Sequence, residues 1–284
     1  MPILNLNHVS LYYEEFGRGD RYLIQAQQFV NSHIYYTKDL ADRCGFHAFI
    51  IRIRGYAPSS MVTEDLGDDW YDVWAQDVVD FADAMGIEKF FYTGHSHGAG
   101  IGWHLCMNHP DRLRGFLPAG VVPISRTASQ PALPAWTPST QRKAGRPGSP
   151  MRKSRPLTVP RRLFLWSLTP SSAERPKKAV EQTVEFWTNM PAQSAVLNPR
   201  KPFAKVQTEE ELAQVLGRIT VPTIMMGGTE DNISSPELML RTLRALKGSK
   251  LVLHQGVDHV DLPIKCREDY VGDIMAFCQE RGLL

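Results

Sequence analysis

The feature that most constrains this chain is the run Gly94-His95-Ser96-His97-Gly98, which stands between a β-rich segment, Lys89 to Thr93, and a helix-patterned one, Ile101 to Asn108. A serine placed where a strand turns straight into a helix sits on a strained backbone. Glycines two residues to either side let strand and helix approach closely enough to leave its hydroxyl exposed. Gly98, Ala99, Gly100 and Gly102 keep the start of the helix small. A strand feeding a helix through so short a turn belongs to a parallel sheet, whose strands need crossover helices on the sheet faces.

The flanks repeat that alternation. His8 to Glu15, Tyr22 to Ala26 and His47 to Ile53 read as three strands ahead of the run. Asp69 to Met85 places Trp74, Val78, Phe81, Ala82 and Met85 on one helical stripe that Gly86 closes. Later in the chain, Thr208 and Glu211 have the spacing of a capping box and open a helix to Leu216. Val221 to Met226 reads as a strand, Ser235-Pro236 opens a helix closed by Gly248, and Lys250 to His254 is a further strand. Tyr270, Val271, Ile274, Phe277 and Cys278 stripe a last helix. The expectation is an α/β fold with a mostly parallel, doubly covered sheet, its core contributed by residues 1–119 and 201–284 and interrupted by an insertion at 120–200.

The insertion differs from its flanks. From Arg126 to Lys178 there are twelve basic residues and one acid, a local balance of +11 in a chain whose formal total is +2. No acid occurs between Asp111 and Glu174, and ten of the twenty prolines fall in that interval. Two readings stay open for Leu117 to Ala173: a natural basic lid with little regular structure, or a stretch translated in the wrong frame or from a retained intron. Lys177 to Met190 is more orderly, with Val180, Thr183, Val184 and Trp187 on one face, and fits a lid helix. Scattered basic residues without interleaved aromatics make a poor nucleic-acid surface, so no nucleic-acid partner is expected. Cys44, Cys106, Cys266 and Cys278 form no CxxC pair and no zinc spacing, which argues for thiols rather than a disulfide framework or structural metal. There is no apolar run of membrane-span length and no signal-peptide pattern at Met1 to Gly17, so a cytoplasmic location is expected.

A serine hydroxyl is a weak nucleophile until a neighbouring base takes its proton, and that base needs an acid to orient it. Both candidates come late: Asp231 after the strand ending at Met226, and His259 after the strand ending at His254. In a parallel sheet both loops leave by the edge that presents Ser96. Glu230 and Asp258 are weaker choices of acid, since Asp258 adjoins His259 and adjacent side chains diverge. Thr93 to Gly100 also fits the T-G-x-x-x-G-x-G loop of short-chain dehydrogenases. That reading fails because three strands precede the loop and no Tyr-x-x-x-Lys pair exists in the chain.

Taken together, residues 10 to 117 and 205 to 282 resemble the α/β-hydrolase fold superfamily, in its serine-nucleophile, lid-containing form. The resemblance implies Ser96 as nucleophile, His259 as general base and Asp231 as its orienting acid. It implies an oxyanion hole from the backbone N–H groups of His97 and Gln28, with Gln27 where the family usually has glycine. Gln27, His95 and Trp187 are then candidate substrate contacts. Arg54-Gly55-Tyr56 is similar to the arginine-glycine-aromatic turn that ends the fourth strand in many members. His104 and His109 are expected to be structural, and His33 to line the pocket mouth. The implied function is a cofactor-free, metal-free serine hydrolase, monomeric or homodimeric, acting on an ester, lactone or carbonyl-adjacent C–C bond of a small to medium molecule. The alternative is a ligand-binding protein on the same fold that does not turn over.

Overall fold

The computed structural model describes residues 2–28, 36–62, 64–126, 203–259 and 261–284. They build an eight-stranded sheet from β1 (Ile3–Asn5), β2 (Ser10–Phe16), β3 (Tyr22–Gln27), β4 (His47–Arg52), β5 (Phe90–His95), β6 (Leu113–Ala119), β7 (Ile224–Gly228) and β8 (Lys250–His254), in the order β1-β2-β4-β3-β5-β6-β7-β8. The β1/β2 and β2/β4 pairs are antiparallel, and every pair from β4 across to β8 is parallel. Helices α1 (Thr37–Cys44), α2 (Trp70–Ala84), α3 (His97–Asn108), α4 (Glu209–Leu216), α5 (Pro236–Ala245), α6 (Leu262–Lys265) and α7 (Arg267–Glu280), with short 3-10 turns at Gly67–Asp69 and Pro110–Arg112, complete the described elements.

The central strands are apolar on both faces, as a doubly covered sheet requires. On one face Phe91, Leu117, Ala119 and Met226 join Leu40 of α1 and Tyr270, Ile274 and Phe277 of α7 in a single buried cluster. On the other, α3 lies so close that a Cβ at Gly102 would meet Phe116 at 2.1 Å, and one at Gly100 would meet Tyr71 of α2 at 2.3 Å. Alternation along β5 feeds both layers: the Phe91 ring packs edge-on against Phe46 on one side, while Tyr92 faces Phe116 on the other.

The regular elements match the sequence pattern, with informative differences. Four strands rather than three precede β5, because the three-residue β1 is too short to show a pattern. Helix α1 and strand β6 also lay outside the expectation; β6 carries Gly115 and Pro118, which mask a strand that is nonetheless buried almost throughout. Leu117 to Ala119, where the segment with two open readings begins, are therefore the end of a core strand. Strand β7 starts at Ile224 rather than Val221; Pro222 and Thr223 meet the sheet through the bonds from Phe116 N–H to Pro222 O and from Lys250 N–H to Thr223 O and through a lone bridge. Gly227 and Gly228 belong to the strand: a Cβ would strike Met239 of α5 at 2.1 Å in one case and Val257 O at 2.0 Å in the other. The capping box of α4 is present, with Glu211 N–H donating to Thr208 Oγ1 and Thr208 N–H to Glu211 Oε2. The lid helix expected at Lys177 to Met190, and nearly all of the insertion at 120–200, lie outside the described residues.

This topology positions a site. From β3 the chain moves through α1 to β4 on one side, then crosses to β5 on the other, so the connections diverge between the carboxyl ends of β3 and β5. That divergence opens the crevice in which doubly wound sheets hold ligands.

Candidate active site

At the crevice, Ser96 follows directly on β5 and opens α3, with φ 55° and ψ −119°. Among the described residues only Ser96 and Phe203 are non-glycine residues with positive φ. Sterics of the motif explain why the turn closes this tightly. A Cβ at Gly94 would lie 2.3 Å from the backbone carbon of Gly98, and one at Gly98 would lie 2.4 Å from Ala26 O and 2.5 Å from Gln27 Nε2. Both contacts are impossible for a side chain, so strand, helix and the end of β3 can approach only if these positions are glycine. Ser96 N–H donates to Ala119 O, tying the turn to the end of β6, and the serine is partly exposed.

The acid and the base come from the next two strand ends. Asp231 is 2% exposed; its Oδ1 accepts N–H bonds from Ile233 and Ser234, both at 2.8 Å. Its Oδ2 lies 2.8 Å from His259 Nδ1. A carboxylate only accepts, so the imidazole donates from Nδ1, and Nε2 carries the lone pair of the neutral ring. Glu230 N–H donates to Val257 O and Thr229 N–H to His254 O, which lashes the two loops together.

Of the two histidines beside the serine, His95 touches the base directly. The His95 ring lies 4.8 Å from that of His259, centroid to centroid, and His95 Nε2 donates to His259 O at 2.8 Å. Gly120, at φ 70°, leaves room for both rings: a Cβ there would stand 3.0 Å from His95 and 3.2 Å from His259. Desolvation, reinforced by the His259 ring, pulls His95 down to about 3 and His97 down to about 4, so both are neutral near pH 7.

Beside the elbow, the loop after β3 is held by side chains. Gln27 is 4% exposed and its amide donates to His95 O at 2.9 Å, so this side chain buttresses the elbow. Gln28 Nε2 donates to Tyr56 Oη at 2.9 Å. Tyr56 belongs to the Arg54-Gly55-Tyr56 turn, which is anchored where Arg54 Nε donates to the buried Asp77 of α2 at 2.6 Å. The turn thus links α2 to the Gln28 loop. His104 is structural, its Nδ1 2.5 Å from Asp72 Oδ1 and its Nε2 accepting from Phe203 N–H. Asp258 Oδ1 accepts from Asp261 N–H, whereas Asp231 Oδ2 pairs with His259 Nδ1. Trp187 and His33 lie outside the described residues.

Sequence reasoning did not find Tyr56 as a partner of Gln28, nor the N–H pair that grips Asp231. The second had a signal: an aspartate followed by Asn-Ile-Ser after a strand is the pattern of a side-chain-capped turn. The described groups with the donor sets of metal sites, His8/Asp77/Asp80 and His254/Cys266/Asp269, include neither Ser96, Asp231 nor His259.

Comparison with known proteins adds a frame to this geometry. A family model described as the alpha/beta hydrolase fold matches residues 26–264. Among curated proteins, an epoxide hydrolase 3 from Siraitia grosvenorii is 32% identical over 90 residues; these make up 32% of this chain, and the chain spans 27% of that relative's length. Among solved structures, an enol-lactonase from Burkholderia xenovorans LB400 superposes with a TM-score of 0.72 at 16% identity, covering 98% of this chain and 100% of the other. A thermophilic esterase from Thermogutta terrifontis superposes with a TM-score of 0.69 at 16% identity, covering 96% and 94%. At such identities the structural likeness speaks for the fold.

Proposed function

The chain belongs to the alpha/beta hydrolase fold family, and from that premise we propose that it is a serine hydrolase cleaving an ester, or a related lactone or carbonyl-adjacent C–C bond, of a small to medium molecule. The observation that carries this reading is the buried 2.8 Å pairing of Asp231 with His259 Nδ1 at the sheet edge that also presents the strained Ser96 turn. Relatives such as epoxide hydrolases share the frame, but a serine at the elbow offers a hydroxyl whose attack on a carbonyl yields an acyl-enzyme that water can release.

In this mechanism Ser96 Oγ attacks the carbonyl carbon while its proton passes to His259 Nε2. Asp231 holds the ring in the Nδ1–H tautomer and stabilises the imidazolium that forms. The carbonyl oxygen becomes an oxyanion, met by the N–H groups of His97, which opens α3, and Gln28, which follows β3. Collapse of this intermediate breaks the bond to the leaving group, which takes the proton from His259. Water then repeats the sequence on the acyl-enzyme, giving up a proton to His259 and releasing the acid. Neutral His95 and His97 leave the base without cationic neighbours that would lower its affinity for the proton. His95 lines the floor of the site and Gln27 braces it.

The test requires no known substrate. A fluorophosphonate probe should label the purified protein at Ser96 alone, as located by peptide mass spectrometry, and Ser96→Ala should abolish labelling. A folded protein that takes no label overturns the hydrolase reading and leaves ligand binding without turnover on the same frame.

A further inference from the structure

Outside the elbow, a second constellation lies where β8 ends and α7 begins. His254 is the last residue of β8, Cys266 immediately precedes α7, and Asp269 lies in the first turn of α7. One ligand atom of each lies within 4.8 Å of the others. We propose that His254, Cys266 and Asp269 form a binding site for a single divalent transition-metal ion of the zinc class.

Three observations converge on this. His254 Nε2 is buried and has no hydrogen-bond partner among the described residues, the condition that marks the place of a missing water or ion. A single ion takes one ring nitrogen, here the unpartnered Nε2: Asp273 Oδ2 stands 4.0 Å from it, too far for a direct hydrogen bond, while Asp269 Oδ2 stands 4.0 Å from Nδ1 of the same ring. The donor set, one imidazole, one thiol and carboxylate oxygen, suits zinc-class ions rather than magnesium or calcium, which take oxygen. Zinc bonds of about 2.0–2.3 Å put tetrahedral ligands roughly 3.5 Å apart, so the site closes with a small movement of the Asp269 side chain, which is 72% exposed. Binding releases the Cys266 thiol proton to solvent, and Asp273 or water completes the four-coordinate shell.

The other constellation, His8/Asp77/Asp80, does not qualify, because Arg54 already holds Asp77 with its guanidinium and a cation there would have to displace it. Placement gives the His254 site a consequence. His254 and Cys266 are the two ends of the segment that carries His259, so one ion would pin both ends of that loop.

Cobalt(II) titration of the full chain tests the proposal, because a thiolate ligand gives cobalt a charge-transfer band that nitrogen and oxygen ligands do not. We expect a band saturating at one equivalent, displaced by zinc. Cys266→Ser should delete it although Cys44, Cys106 and Cys278 remain. The exposed Asp269→Asn, which leaves the fold intact, should keep the band and weaken affinity at least about tenfold, the scale on which even outer-shell partners of metal ligands act. No band at excess cobalt, a band that survives Cys266→Ser, or an unchanged affinity in Asp269→Asn would each overturn the site. None of these outcomes depends on the serine chemistry at Ser96.

Discussion

The turn after β5 and the turn after β7 deliver functional side chains to the same edge of the sheet by opposite means. The Ser96 turn is shaped by backbone and by absent side chains: positive φ at the serine, and glycines at 94 and 98 whose Cβ atoms would strike main chain. The Asp231 turn is shaped by the functional side chain itself, which spends one oxygen on two N–H groups of its own loop and the other on His259. A turn of the first kind tolerates exchange of its functional side chain but not of its neighbours. A turn of the second kind loses orientation when its functional residue changes.

The largest effect that would break this comparison is on activity. Ser96→Ala should lower hydrolysis of a responsive ester by about 10⁶-fold, the scale of losing a triad nucleophile, while the folded protein persists. Asp231→Asn should cost about 10⁴-fold, because an amide can still accept from Ile233 and Ser234 but favours the wrong tautomer of His259. If Asp231→Asn kept near-full activity, the acid would have to be sought elsewhere.

Stability should divide the two turns the other way. Gly98→Ala should destabilise by about 3 kcal/mol, the upper range for overpacking, because the backbone oxygen of Ala26 lies 2.4 Å from the new Cβ and cannot turn aside as the Gln27 amide can. Gly86→Ala is the control, since a Cβ there would meet nothing within 4 Å and only the positive φ opposes it. Ser96→Gly should be more stable than Ser96→Ala by about 2 kcal/mol, since glycine relieves the positive φ. Urea midpoints at constant slope measure all three.

These differences explain what could be read from the sequence. The elbow was legible because steric exclusion leaves glycine as its signature, and the triad order because strands leave a parallel sheet by one edge. Strand β6 and helix α1 were not: Pro118 and Gly115 break the β pattern, and the eight-residue α1 is set by packing of Leu40 and Ala41 into the cluster under α7 rather than by local propensity. The role of Gln27 was half legible. Its position beside the hole follows from counting, but its amide turning back to His95 O depends on how close Gly98 lets the helix come.

The smallest effect concerns pH and distinguishes the two turns once more. His95 and His97 flank the serine and are held at about 3 and about 4, against about 6.5 for an unfolded histidine. A depressed folded value means that the unfolded chain binds the proton first. Stability from these residues is therefore complete above about pH 6.5 and is lost as pH falls toward their folded values. Both residues are partly exposed, so solvent screening limits the pair to roughly 1 kcal/mol between pH 6.5 and 5.5. The residues adjoining Asp231, Glu230 and Asn232, include no histidine, so this contribution belongs to the Ser96 turn. Urea unfolding followed across that window should show stability falling with acid, and the double variant His95→Gln, His97→Gln should flatten the fall, since a glutamine amide can still donate to His259 O without taking up a proton. An unchanged slope in that variant would mean that the two rings are solvated well enough to titrate alike in both states.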